Sequence, residues 1–88
     1  MLLVKEFTIE NKLGLHARPS AQLVKSASKF NSQITVEKEG EVADGKSIIG
    51  IMMLAAGCGS QLKVSIDGDD AQEAMDAIES LITSKFGE

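Results

Sequence analysis

Between Leu3 and Glu10 the chain alternates. Leu3, Lys5, Phe7 and Ile9 share one parity and Val4, Glu6, Thr8 and Glu10 the other, a period of two that predicts a half-buried strand. Asn11 to Gly14 breaks that rhythm. From Ala17 the period lengthens: Ala17, Leu23, Val24, Ala27 and Phe30 follow helical spacing, with Lys25, Ser28 and Lys29 turned to water. Pro19 suits the first turn of this helix, where a missing N–H costs nothing. Ile34 and Val36 then alternate with Gln33, Thr35 and Glu37, and after a Glu39-Gly40 turn a short strand over Glu41 to Ala43 completes a hairpin.

Beyond the Asp44-Gly45 break, Ser47 precedes a run in which Ile48, Ile51, Met52 and Ala55 keep helical spacing. A serine there predicts an N-cap, because its hydroxyl accepts from the open first-turn amides. Gly57-Cys58-Gly59 ends this helix after about two turns. Leu62, Val64 and Ile66 alternate with Lys63, Ser65 and Asp67 in the clearest strand of the chain, and Asp67-Gly68 turns it. Asp69 with Gln72, or Asp70 with Glu73, offers a capping box. Ala71, Ala74, Met75, Ile78, Leu81, Ile82 and Lys85 mark one face of a last helix.

The predicted order is β-α-β-β-α-β-α, an α+β fold. Strands with one apolar face need cover on one side only, so the pattern implies a four-stranded, mainly antiparallel sheet with three helices packed on one face. The other sheet face, rich in Thr, Glu and Lys, is expected to meet water.

Length narrows the possible functions. An 88-residue chain is expected to form a single domain over residues 1–88, with one core and no room for a large enclosed cavity. Any chemistry should therefore sit on the surface. The lone Cys58 cannot form an internal disulfide, which fits a reducing compartment. Met1 to Val4 is cut short by Lys5 and Glu6, unlike a signal peptide, and no apolar stretch approaches the roughly 20 residues of a membrane span. A cytoplasmic protein without membrane contact is expected.

The net charge of −4 is unevenly spread. Residues 1–30 hold Lys5, Lys12, Arg18, Lys25 and Lys29 against two acids, whereas residues 31–88 hold four lysines against eleven acids. Nucleic acid is an improbable partner without a basic run and with three aromatics, all Phe. An acidic protein surface or a phosphate group fits the basic third better.

That third contains the only histidine and the only proline, in GLHARPS (residues 14–20). A lone histidine is more often structural than catalytic, and one His with one Cys at no ligand spacing holds no metal. A triad with Ser20 or Ser26 lacks any accompanying nucleophile elbow. Position gives His16 its interest. It stands at the mouth of a helix opening with Ala17 and Arg18, where free N–H groups and the positive dipole end form a ready anion site. Dipole and Arg18 together favour a neutral imidazole, which has a nucleophilic lone pair. Were it to attack phosphorus, the new phosphate would lie where amides and a guanidinium receive it. Gly14 permits a tight turn, and Pro19 sets the first helical turn.

GLHARPS, followed some thirty residues later by KSIIGIMML, resembles the HPr family, the histidine-containing phosphocarriers of the bacterial phosphoenolpyruvate-dependent phosphotransferase system. The resemblance covers essentially the whole chain and implies the open-faced β-sandwich of that family. It further implies that His16 carries phosphate on Nδ1, taken from enzyme I and passed to enzyme IIA-type domains in sugar uptake. Arg18 would steady the phosphate, with Ala17 helping to cradle it. Leu15, Ala17, Ser20, Ile48, Ile49 and Met52 would form much of the docking surface. Ser47 matches the serine that an HPr kinase/phosphorylase modifies with ATP in many members. The implied protein is a monomeric carrier without cofactor or metal, and not an enzyme that turns over independently.

Two other readings stand beside this one. A carrier of the nitrogen-related regulatory branch would share these residues, while an intact His16 argues against a purely regulatory relative lacking the nucleophile. From another class comes a small interaction domain with an incidental anion site, which the Arg18-Pro19 arrangement disfavours. Ser20 stands where many members carry alanine; its hydroxyl would bond phosphate or merely cap.

Overall fold

Burying one parity of each alternating stretch against helices generates the architecture. The computed structural model describes residues 1–88. Its elements are β1 (Leu2–Thr8), α1 (Ala17–Ala27), β2 (Gln33–Lys38), β3 (Glu41–Asp44), α2 (Ile48–Met53), β4 (Gln61–Asp67) and α3 (Ala71–Thr83), followed by a 3₁₀ turn over Lys85–Gly87. The strands form one fully antiparallel sheet in the order β1-β4-β2-β3. With its three helices this is the open-faced arrangement anticipated from the sequence.

Phe7, Ile34, Val36, Leu62, Val64 and Ile66 send their side chains into a core of 20 apolar residues, shared with Leu23, Ala27, Ile51, Ala74, Ile78 and others. On the outer face the register sets Glu6, Lys63 and Glu37 side by side across β1, β4 and β2. Opposite charges on neighbouring strands are a favourable cross-strand arrangement. The β2–β3 hairpin closes through Glu39 and Gly40, with φ of 51° and 86°, two left-handed residues in a two-residue loop. That geometry matches the right-handed twist of the flanking strands.

Three details depart from expectation. First, α1 stops at Ala27, and Phe30 reaches the core margin from the following loop, half-buried. Second, α3 stops at Thr83, and Lys85 and Phe86 both adopt φ of 56°. The reversal sends Phe86, only 2% exposed, into the core, while Lys85 leaves the face the helical spacing assigned it. Third, neither capping box forms. Asp70 is the N-cap of α3, but its side chain makes no cap bond. Its carboxylate instead accepts from the Asn31 amide (2.8 Å), the Ser32 amide (3.0 Å) and the Ser32 hydroxyl, tying the α1–β2 loop to α3. Those hydrogen bonds hold the carboxyl below the usual carboxylate range, the Ser32 hydroxyl contributing most and the Asn31 amide next.

Candidate functional site

Gly14 determines how the chain reaches His16. Its φ is +67°, and a side chain there would overlap the Ala56 carbonyl and lie 2.6 Å from Gly57 Cα. Glycine is needed both for the backbone conformation and for the close approach. The approach is used at once, because the Leu15 amide donates to the Ala56 carbonyl at 2.7 Å. Asn11 clamps the other side, donating from Nδ2 to the Gly14 carbonyl (2.6 Å) and accepting the Gly14 amide on its own carbonyl (3.0 Å).

His16 is the N-cap residue of α1 in extended geometry, φ −77° and ψ −170°. Its carbonyl accepts the Ser20 amide at 3.0 Å, yet its ring caps nothing. The first turn holds no acid, so no side chain of that turn neutralises the helix mouth. The amides of Ala17 and Arg18 lie among the four that a helix leaves open, and Pro19 has none to offer. Ala17 and Arg18 are exposed, and Arg18 takes part in no ion pair. None of the surface cavities contains His16, so the site is open surface.

Nothing around His16 in the sequence signals its one side-chain partner. Nε2 lies 3.1 Å from Oε2 of Glu88, with both side chains partly shielded. The two residues are 72 positions apart, and only the reversal at Lys85 and Phe86 brings them together.

Two residues that the resemblance assigns to the docking surface have buried side chains. Leu15 is buried in the core cluster, and Ser20 is fully buried. Leu15 points inward because its amide is drawn to Ala56, and the Ser20 hydroxyl donates to the Leu15 carbonyl at 3.1 Å. Ser20 therefore ties the first turn of α1 to the segment before it instead of facing outward.

The second segment supplies an apolar surface. Ser47 caps α2, its hydroxyl accepting the Gly50 amide at 3.1 Å. Ile51 and Leu54 are buried, which leaves Ile48, Ile49, Met52 and Met53 exposed, Ile49 and Met53 by more than 70%. At the far end Lys38 Nζ donates to the carbonyls of Leu54 (3.1 Å) and Ala55 (3.3 Å). This helix packs beside α1, and the residues after it meet Gly14 and Leu15, so patch and histidine share one end of the molecule.

Comparison with known proteins agrees with this geometry. Residues 3–84 match the family model described as PTS HPr component phosphorylation site. The phosphocarrier protein HPr of Cupriavidus necator is 53% identical over 87 residues, 99% of this chain and 98% of its own. This chain belongs to the HPr family. Among solved structures, HPr from Thermoanaerobacter tengcongensis superposes with a TM-score of 0.95 at 51% identity, covering 98% of this chain and 97% of that one. A dimer of HPr from the same organism matches with a TM-score of 0.80 at 55% identity, over 96% and 99% of the two chains. HPr proteins are phosphocarriers of the phosphotransferase system, and the chain falls in that class of carriers.

Proposed function

We propose that this HPr carries its phosphoryl group on His16, receiving it from enzyme I and passing it to enzyme IIA-type domains in sugar uptake. The observation that carries the reading is the position of His16: an N-cap whose ring is unused for capping, before a first helical turn that holds no acid and beside an unpaired arginine. A ring-nitrogen lone pair forms the new N–P bond as the donor's bond to phosphorus breaks, its electron pair leaving with the donor. The incoming oxygens then lie near the open amides of Ala17 and Arg18 and within the field of the guanidinium. Return of the phosphoryl group to an acceptor reverses these steps, so the site works by holding charge and not by consuming it.

Ala17, Ile48, Ile49 and Met52 are proposed to meet both partners in the cytoplasm, the apolar side chains supplying contact and the basic first third supplying attraction to acidic surfaces. One chain supplies every group named, which supports a carrier acting as a monomer; sedimentation at working concentration tests it. Ser47 is proposed as a target of an HPr kinase/phosphorylase. Phosphate there adds nearly two negative charges at a helix start, where the dipole tolerates them, beside a surface that must attract acidic partners.

Incubation with enzyme I and phosphoenolpyruvate tests the main reading. Acid-labile, base-stable label on the wild type, absent from His16→Ala, is expected; label that survives the substitution would overturn it. For Ser47 the expected result is acid-stable phosphate after exposure to ATP and the kinase, lost in Ser47→Ala.

A further inference from the structure

We infer that Glu88 is a positioning residue for the transfer proposed above: its carboxylate keeps the proton on Nε2 of His16, leaving Nδ1 as the nitrogen with the free lone pair. The inference rests on that proposal for its consequence, though not for its geometry. An ionised carboxylate only accepts hydrogen bonds, so an oxygen 3.1 Å from Nε2 requires a proton on that nitrogen. In a neutral imidazole one nitrogen bears hydrogen and the other a lone pair, and the partner of one decides the state of the other. The Nε2–Glu88 contact is the only side-chain hydrogen bond His16 makes.

The carboxylate is held in place by more than this contact. Phe86 is anchored in the core, the Gly87 amide donates to the Ser84 carbonyl (3.1 Å), and the Glu88 amide donates to the Lys85 carbonyl (3.0 Å). The left-handed pair at Lys85 and Phe86 thus turns the chain back toward α1. During transfer the Nδ1 lone pair forms the bond to phosphorus and the phosphorylated donor keeps the electron pair of the bond that breaks. Nε2 retains its proton, so the ring gains positive charge, and Glu88 faces that charge.

The test separates tautomer from rate. Long-range ¹H–¹⁵N spectra of the His16 ring at alkaline pH report which nitrogen bears hydrogen, in wild type and in Glu88→Ala. Labelling by enzyme I is timed on the same two proteins, and thermal melts check that both are folded. The Nε2–H form should dominate in wild type, and the Nδ1–H form should grow in Glu88→Ala. Labelling should slow roughly tenfold, the low end of what carboxylate partners contribute when they orient metal-bound histidines, with the melting temperature unchanged. Identical tautomer populations in the two folded proteins would overturn the inference whatever the rates. A wild type that enzyme I cannot label would instead overturn the carrier reading, and the spectra would still decide the role of Glu88.

Discussion

The Ser20 hydroxyl donates to the Leu15 carbonyl at 3.1 Å, joining from beneath the two residues that bracket the half-buried His16 and the exposed Ala17 and Arg18. Both are buried, so the bond lies in a site where water does not readily replace it. Ser20→Ala should cost about 1 kcal/mol, the usual net worth of such a bond. In a domain of this size that lowers Tm by about 4–8 °C. An unchanged melting temperature would mean the hydroxyl is idle.

Gly14→Ala combines an unfavourable positive φ with a clash against backbone atoms of Ala56 and Gly57. Backbone cannot yield as a flexible side chain does, so a loss of more than roughly 2 kcal/mol is expected. Urea unfolding measures it. A loss below about 0.5 kcal/mol would show that the loop rearranges freely and that Gly14 does not set the approach to His16.

Asp70 makes stability depend on pH in a predictable direction. Its folded-state carboxyl is held below the usual range by the Ser32 hydroxyl and the Asn31 amide, whereas an unfolded chain titrates it at about 3.9. The stabilisation is therefore complete above the unfolded value and disappears as pH falls through the lower folded one. Asp70→Asn should be less stable than wild type near neutrality, and the gap should close in acid. Parallel denaturation curves across that range would rule out this source of acid sensitivity.

Ile49 is 71% exposed and supports little of the fold. Ile49→Ser should leave stability within about 0.5 kcal/mol while slowing phosphoryl exchange with both partners. Transfer kinetics alongside a thermal melt distinguish the two. Unaltered exchange with either partner would remove Ile49 from the shared docking surface.

Most of the fold was legible because each strand and helix carries its own period. The N-cap at Ser47 was legible because capping is local, reaching only to Gly50. Ile48, Ile49 and Met52, which the resemblance assigns to the docking surface, are exposed on α2 because a six-residue helix cannot bury all its apolar side chains. What escaped were relationships between distant segments. Nothing near Asp70 in the sequence indicates that it serves Asn31 and Ser32 instead of its own helix. Nothing near Phe86 signals a left-handed residue that drives a phenylalanine inward and brings Glu88 to His16. The burial of Leu15 and Ser20 was not legible either, because a motif gives order along the chain without saying which side chains turn inward.

The bonds at the two ends of α2 have a consequence for recognition. Ser47 holds its first turn, and Lys38, at the end of a central strand, holds the carbonyls of Leu54 and Ala55 that directly follow it. A helix this short would fray if left alone. Fastened at both ends, it presents Ile48, Ile49 and Met52 in an arrangement that exists before any partner arrives. Docking then spends little on ordering backbone, and preorganisation of that kind lets a small apolar surface bind partners it could not otherwise hold. Lys38 thus bears on recognition from a distance: removing its ammonium would loosen the helix on which those side chains stand.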